Sequence, residues 1–100
     1  MEREYVIVSP KHSNYPFPGA LVFWGGITTD DEERSFGGYT FNLDKCERYT
    51  LKEITDERSD LHLYGGGGYK ELFQHENVII KVSELLEIDT FKKAMIIYRP

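Results

Sequence analysis

The stretch GGYTFNLDKCERYT, residues 37–50, changes from the pattern of a strand to that of a helix. After two glycines, aromatic and small polar residues alternate with the two-residue period of a β-strand. Thr50 and the following Glu53 then match the S/T-x-x-E capping box, in which each side chain bonds the backbone amide of the other residue. We therefore predict a strand followed by a capped helix that runs through Ile54 and ends near residues 58–60.

A short helical turn is predicted between this strand and this helix. Asn42 or Asp44 can cap it, because their side-chain oxygens accept hydrogen bonds from the first amides of a helix. Leu43 and Cys46 then fall on one side of the turn, facing the core. Cys46 is the only cysteine, so no internal disulfide can form, and we expect it to pack as a small hydrophobe.

Two apolar runs before the stretch predict two more strands. Residues 4–10, EYVIVSP, are rich in β-branched residues and end at a proline, which cannot donate to a strand ladder. Residues 20–26, ALVFWGG, are a second run closed by two glycines. We predict that this second run pairs with residues 39–43 as an antiparallel hairpin. The connection between them carries four consecutive acids, Asp30, Asp31, Glu32 and Glu33.

The second half of the chain contains a glycine run and two further apolar runs. Four consecutive glycines, residues 65–68, lose too much backbone entropy for the interior of a helix or strand and predict a loop. YKELF after them predicts one helical turn. NVIIKVSELLEI predicts a strand at residues 78–82, then a turn or short helix with Ser83 as its N-cap. KAMIIYRP, residues 93–100, predicts the last strand.

Together these elements predict an α+β fold, with a small, mainly antiparallel sheet of about five strands and one or two short helices packed on one face. The chain has 100 residues, of which 40% are hydrophobic, and this is enough for one modest core. We therefore expect residues 1–100 to form a single domain. The order of the strands does not follow from the pattern.

The charge balance restricts the class of partner. The chain has 12 Lys and Arg residues against 17 Asp and Glu residues, and the resulting formal charge of -5 repels nucleic-acid phosphates. Direct nucleic-acid binding is disfavoured, and a protein with a basic surface is the expected partner. No apolar run approaches the roughly 20 residues that cross a bilayer, and no leader pattern follows the first residue. These features predict a cytoplasmic protein without a membrane role.

The acidic run and the aromatic residues beside it form the first candidate site. The candidate partner-binding residues are Asp30, Asp31, Glu32, Glu33, Trp24 and Tyr39. Acidic side chains speed the encounter with a basic patch, and Tyr and Trp are enriched in interface hot spots. The plainer interpretation is a solvated hairpin tip and an aromatic stripe that belongs to the core. The stripe consists of Tyr5, Phe23, Trp24, Tyr39 and Phe41. An open sheet face would also allow a homodimer.

The glycine run is the second candidate site. Its candidate ligand-binding residues are Tyr64, Gly65, Gly66, Gly67, Gly68 and Tyr69. Backbone amides in a glycine run can bind anions, and the two tyrosines could stack on a base. The run lacks the Gly-Lys-Ser/Thr that completes a Walker A loop. A small-ligand site is therefore the less favoured hypothesis.

The sequence contains no constellation typical of catalysis or metal binding. His12, His62 and His75 are scattered, without i, i+4 spacing or accompanying cysteines, which argues against a zinc site or a Cys-His pair. The acidic run lacks the spaced ligands and the glycine of a calcium loop. We predict no catalytic residue, no cofactor and no metal, and we expect the histidines to lie at the surface or in loops.

Four short motifs follow one another in the first half: FWG at residues 23–25, GYT at 38–40, LDKC at 43–46 and RYT at 48–50. This order resembles that of small phage- and prophage-encoded proteins of uncharacterised function, and the likeness covers residues 9–54. The family supplies no catalytic residues. The resemblance implies a non-enzymatic accessory protein that binds a host protein, such as a defence protein, and inhibits or redirects it. The alternative, from the glycine run, is a binder that sequesters a nucleotide or a nucleotide-derived signal.

Overall fold

The computed structural model describes residues 2–9, 21–26 and 33–88, with only the backbone of Tyr69. Within these ranges the chain forms five short strands and three short helices. The strands are β1 (Tyr5–Val8), β2 (Phe23–Trp24), β3 (Tyr39–Thr40), β4 (His62–Leu63) and β5 (Val78–Lys81). The helices are α1 (Leu51–Glu57), α2 (Gly68–Leu72) and α3 (Val82–Leu86).

In the described part of the chain these strands form one sheet in the order β3-β2-β1-β5-β4. β1 pairs antiparallel with β2 and with β5, and β2 pairs antiparallel with β3. β4 runs parallel to β5. The predicted α+β class and the mainly antiparallel sheet are confirmed. The predicted hairpin is also confirmed, because Trp24 pairs with Tyr39 and Phe23 with Thr40.

The sequence pattern does not predict β4, which has two residues and is too short to show a period. His62 and Leu63 pair with Val78 and Ile79 of β5. The backbone N–H of Tyr64 continues this contact by donating to the Ile79 carbonyl at 2.9 Å. The strand predicted at the end of the chain lies outside the described residues. The fifth described strand therefore comes from a segment for which no strand was predicted.

The sheet divides the core into two clusters, because successive residues of a strand point to opposite faces. On one face Ile7 of β1 packs in a cluster with Ile54 of α1. On the other face Ile80 of β5 packs in a cluster with Leu72 of α2 and Leu85 of α3. Short helices thus lie on both faces, where the sequence predicted one or two on a single face. The reason is that β1 and β5 are central strands buried on both sides, so each face needs a cover.

The helices α1 and α3 begin in different ways. At the predicted capping box, the Thr50 hydroxyl accepts a hydrogen bond from Glu53 N–H at 3.1 Å, and the Glu53 carboxylate accepts one from Thr50 N–H at 2.8 Å. Among the described residues, no side chain caps α3. The prediction of Ser83 as its N-cap is wrong, because Val82 is already the first helical residue. Val82 N–H donates to the Glu4 carbonyl at 2.9 Å, so strand β5 passes directly into the helix.

The turn between β3 and α1 has the predicted capping interaction. The Asn42 side-chain oxygen accepts a hydrogen bond from Asp44 N–H at 2.9 Å. Leu43 and Cys46 are buried, and both belong to the cluster that covers the α2 and α3 side of the sheet. The turn therefore joins the hairpin to the core before the chain enters α1.

Candidate interaction site and glycine loop

Trp24 supports the β2–β3 hairpin from within the core. Only 7% of the residue is exposed. Its indole N–H donates to the Asn77 side-chain oxygen at 2.9 Å, and the Arg58 guanidinium lies 5.3 Å from its ring centre. Tyr39 meets the Trp24 ring edge to face, with the ring centroids 6.5 Å apart. Trp24 therefore exposes little surface to a partner. Its buried ring instead packs against the ring of the exposed Tyr39.

Two other aromatic side chains of the predicted stripe are exposed. Tyr39 is 59% exposed and Phe41 is 50% exposed. They belong to β3 and to the residue that follows it, at one end of the described sheet. Phe23, by contrast, is 1% exposed. The stripe is thus divided between a buried part on β2 and an exposed part on and beside β3.

The acidic run lies only partly within the described residues. Glu33 is exposed, whereas Asp30, Asp31 and Glu32 lie outside the described residues. By its position in the sequence the run joins β2 to β3. The predicted acidic residues and the exposed aromatic residues therefore belong to one continuous segment of the chain.

A fully buried carboxylate, that of Glu47, fixes the chain between the acidic run and β3. It accepts hydrogen bonds from the backbone N–H groups of Ser35 and Phe36 at 2.8 and 2.9 Å. It also accepts one from the Tyr49 hydroxyl at 2.8 Å and one from the Ser35 hydroxyl at 3.2 Å. A buried carboxylate is tolerated when its oxygens are satisfied in this way. Sequence reasoning missed Glu47, because its amide donors lie 12 and 11 residues away and follow no motif.

Charge and ring packing complete this arrangement. The Arg34 side chain is 2% exposed, and its Nε lies 3.9 Å from a Glu47 oxygen. Phe36 has a left-handed φ of 54° and stacks on Tyr49, with ring centroids 4.8 Å apart. Burial, together with the hydrogen bond to Glu47, raises the pKa of the Tyr49 hydroxyl, which therefore stays protonated and acts as a donor. We name residues 34–36, Glu47 and Tyr49 the hairpin anchor.

The glycine run folds around a carboxylate of the chain itself. Glu71 of α2 accepts hydrogen bonds from Gly65 N–H and from Gly67 N–H, each at 2.6 Å. Gly68 N–H donates to the Tyr64 hydroxyl at 2.9 Å. The amides of Gly65 and Gly67, which the sequence predicted as donors to an external anion, thus already donate to the Glu71 carboxylate. An anionic ligand at this loop would have to displace Glu71.

The remaining residues of the predicted ligand site add little to it. Gly66 is exposed and turns the loop with a φ of 98°, a value that favours glycine. The side chain of Tyr69 lies outside the described residues. Of the two predicted stacking tyrosines, Tyr64 is partly buried and packs against the core cluster. Its hydroxyl is already engaged by the loop.

Two of the histidines that looked scattered in the sequence meet beside the glycine loop. The rings of His62 and His75 stack with their centroids 3.6 Å apart and their planes 13° from parallel. His62 Nε2 lies 2.7 Å from a Glu71 oxygen. His12 lies outside the described residues. No sequence period joins His62 to His75, and their contact arises only because β4 and the segment after α2 come together.

In the ranges that the structure describes, no three His, Cys, Asp or Glu side chains are arranged to hold a metal ion. Cys46 is buried, and its thiol donates to the Leu43 carbonyl at 3.3 Å. Burial raises the pKa of Cys46 to about 11, so little thiolate, the reactive form, is present at neutral pH. Cys46 therefore packs as the small hydrophobe that the sequence predicted.

No described helix is long and apolar enough to cross a bilayer. The chain was compared with protein-family models, with curated proteins and with solved structures, and none of the three comparisons gave a match.

Proposed function

We propose that this protein is a non-enzymatic accessory protein that binds a basic surface of another protein through the β2–β3 hairpin. In the setting that the phage-type motifs imply, it acts in the cytoplasm of a bacterial host and inhibits or redirects a host protein. The proposal depends above all on the exposure of Tyr39 in β3 and of Phe41 directly after it, at the edge of the described sheet.

Tyr39 and Phe41 supply the apolar part of the proposed contact. Aromatic side chains dominate interface energetics because each can bury roughly 150–250 Å² in a rigid ring. Each residue is half or more exposed, so a partner that covers both removes their apolar surface from water. Tyr39 also rests against the buried Trp24 ring, and this support lowers the side-chain entropy that binding would cost.

The acidic run supplies the preference for a basic partner. Asp30, Asp31, Glu32 and Glu33 form a continuous negative segment in a chain whose formal charge is -5. Such a charge speeds the encounter with a basic patch and disfavours acidic partners. Exposed charges are screened over about 8–10 Å at moderate salt, so this part of the interaction weakens as salt rises.

The hairpin anchor fixes the backbone where the acidic run enters β3. Glu47 holds the amides of Ser35 and Phe36, and the Phe36 ring stacks on Tyr49. A binding surface whose backbone is fixed before association loses less entropy than a free loop. The buried carboxylate thus supports the proposed contact without touching the partner.

Capture of a partner from a bacterial lysate, with matched variants of the bait, tests this proposal. The variants are Tyr39→Ala/Phe41→Ala, Asp30→Asn/Asp31→Asn/Glu32→Gln/Glu33→Gln and the control Leu63→Ala. Leu63 is 48% exposed at the opposite end of the sheet, so it controls for the loss of any exposed apolar side chain. We expect one protein to be retained by the wild type and by Leu63→Ala.

The aromatic double variant should lose this protein at every salt concentration, because the apolar anchors are gone. The acidic variant should retain less of it than the wild type at low salt. The difference should shrink as salt rises, because this variant lacks only the electrostatic attraction, which salt also weakens in the wild type. Equal recovery by the wild type and the aromatic double variant would contradict the proposal.

A small-ligand binder at residues 64–69 has weaker support. Gly65 and Gly67 already donate their amides to Glu71, and the Tyr64 hydroxyl already accepts from Gly68. A nucleotide phosphate would therefore compete with a carboxylate that is covalently part of the chain.

A further inference from the structure

Among the described residues other than glycine, Phe36 alone has a left-handed backbone, with a φ of 54°. A residue with a Cβ disfavours this conformation, because the Cβ then lies too close to the following carbonyl oxygen. Glycine adopts it readily, and a bulky residue such as phenylalanine does not. Phe36 therefore stays left-handed only because its contacts outweigh this preference.

The contacts that hold Phe36 come from Glu47 and Tyr49. The N–H groups of Ser35 and Phe36 donate to the Glu47 carboxylate at 2.8 and 2.9 Å, so two successive amides point at one anion. Successive amides converge on an anion in a backbone nest, of which a left-handed residue is a usual part. The Phe36 ring also stacks on Tyr49, with ring centroids 4.8 Å apart. The carboxylate thus favours the conformation that the side chain of Phe36 opposes.

Few residues separate Phe36 from the exposed aromatic side chains. Gly37 alone lies between Phe36 and Gly38, whose carbonyl oxygen accepts a hydrogen bond from Gly25 N–H at 2.8 Å. The next residue, Tyr39, already pairs with Trp24. Only two glycines are therefore available to compensate a change of φ at residue 36, and we expect such a change to reach Tyr39.

We propose that the left-handed backbone of Phe36, held by the Glu47 carboxylate, positions the partner surface by setting where β3 presents Tyr39 and Phe41. This inference rests on the proposed function, since it concerns the same aromatic surface. Phe36 acts through the course of the backbone and does not itself touch the partner. Without the carboxylate, residue 36 returns to a negative φ and the two aromatic side chains shift.

The order of stability of two variants at residue 36 tests whether its backbone is held left-handed. Phe36→Gly and Phe36→Ala both remove the ring, so they differ only in the Cβ. At a positive φ the variant with a Cβ is strained, and Phe36→Gly should have the higher urea midpoint. At a negative φ the order is reversed, because glycine loses more backbone entropy on folding.

The same two variants in a Glu47→Gln background isolate the role of the carboxylate. Gln keeps the shape of the side chain but places an NH2 donor where one carboxylate oxygen accepted, so one of the two amides loses its acceptor. We expect Phe36→Gly to be the more stable variant with Glu47 intact and to lose this advantage in the Glu47→Gln background. The same order in both backgrounds, or a higher midpoint for Phe36→Ala with Glu47 intact, would overturn the proposal.

NMR spectra of the full chain test the consequence for the partner surface. The rings of Trp24 and Tyr39, whose centroids lie 6.5 Å apart, should give ring-to-ring NOEs in the wild type. We expect Glu47→Gln to lose these NOEs and Phe36→Gly to retain them, because glycine can stay left-handed. Leu85→Ala controls for a general loss of stability and should also retain them, since Leu85 packs on the other face of the sheet. Unchanged NOEs in Glu47→Gln would contradict the proposal.

Capture from a bacterial lysate then relates the position of the rings to binding. The protein that the wild type retains should be retained by Leu85→Ala and reduced several-fold with Glu47→Gln. Undiminished capture by a Glu47→Gln chain that has lost the NOEs would overturn the positioning role. Equal capture by the wild type and by Tyr39→Ala/Phe41→Ala would instead contradict the proposed function, and the urea midpoints and NOEs, which need no partner, separate this failure from the other.

Discussion

At the residue scale, Glu47 occupies the space that a side chain at position 25, directly after β2, would need. A Cβ on residue 25 would lie 2.7 Å from a Glu47 carboxylate oxygen and 2.9 Å from the Tyr49 hydroxyl oxygen. Gly25 also has a φ of 90°, where residues with a Cβ are strained. The glycine of the FWG motif thus leaves room for the carboxylate that anchors the hairpin.

We expect Gly25→Ala to destabilise the protein more than Gly38→Ala does. Gly38 has a φ of 82° and no atom within 4 Å of an added Cβ, so its substitution should cost only the backbone strain, about 1–2 kcal/mol. Gly25→Ala should cost at least about 2 kcal/mol more, because the methyl group displaces Glu47 from its buried donors. Urea denaturation followed by circular dichroism measures both losses. Equal losses would mean that Glu47 moves aside without cost.

The sequence predicted this glycine only as the end of a strand. Its second role depends on Glu47, which lies in a polar run whose pattern indicates a solvated side chain. The carboxylate becomes buried because the backbone of Ser35 and Phe36 folds back over it. Such a contact is decided by tertiary structure, and no local pattern predicts it.

At the element scale, α1 could be predicted because its start is encoded locally. Thr50 and Glu53 are three residues apart, and their reciprocal hydrogen bonds form as the capping box requires. The Glu53 carboxylate also accepts hydrogen bonds from Arg3 Nε at 3.0 Å and from Arg3 Nη2 at 2.9 Å. Arg3 lies 50 residues away, so no local pattern indicates that α1 is tied to the segment just before β1.

This ion pair predicts a pH-dependent stability. The hydrogen bond and charge of Arg3, with the amide of Thr50, outweigh burial and lower the pKa of Glu53 to about 2. A carboxyl whose pKa is lower in the folded state stabilises the fold above its unfolded pKa of about 4.3, and this contribution is lost as the pH falls toward about 2. Near pH 7, Glu53→Gln should therefore lose about 1–2 kcal/mol, a value reduced by the partial exposure of the pair.

The loss should shrink as the pH is lowered from about 4.5 to about 2, because wild-type Glu53 is then also neutral. Free energies of unfolding from urea titrations at several pH values measure it. Glu57→Gln, an exposed position on the same helix, should stay within about 0.5 kcal/mol of the wild type throughout. A Glu53→Gln loss that is the same near pH 2 and pH 7 would mean that Arg3 contributes nothing through charge.

Two short elements depart from the prediction: β4 was not predicted, and α3 was predicted as a turn or short helix but with the wrong N-cap. β4 has two residues and owes its conformation to its pairing with β5. α3 starts at Val82 with no capping side chain from the part of the chain that the structure describes, so the N-cap preference that favoured Ser83 has no role there. In both cases neighbouring strands decide the conformation, and local propensity is overridden.

At the scale of the whole molecule, strand order decides which candidate residues can reach a partner. The pattern grouped Trp24 and Tyr39 in one aromatic stripe. β3 is an edge strand of the described sheet, whereas β2 lies between β3 and β1. Tyr39 is therefore 59% exposed and Trp24 only 7%. The same order places His62 at the opposite end of the sheet, beside Glu71. Strand order depends on contacts such as that of Tyr5 with Lys81, which no short-range pattern contains.

The two faces of the sheet should unfold together, because β1 and β5 contribute side chains to both clusters. Leu85 and its neighbour Leu86 test this, being 0% and 39% exposed on the same helix. Leu85→Ala should cost about 2–5 kcal/mol through the cavity that it leaves, and the matched control Leu86→Ala less than about 1 kcal/mol. Trp24, the only tryptophan, belongs to the cluster on the opposite face and reports that face by its fluorescence.

In urea, the fluorescence midpoint of Leu85→Ala should fall as far as its circular-dichroism midpoint, because a two-state unit loses stability as a whole. Leu86→Ala should leave both midpoints close to those of the wild type. If Leu85→Ala lowered the circular-dichroism midpoint and left the Trp24 midpoint in place, the two faces would unfold separately. β1 and β5 would then fail to transmit a loss of packing from α3 to the face that supports the hairpin.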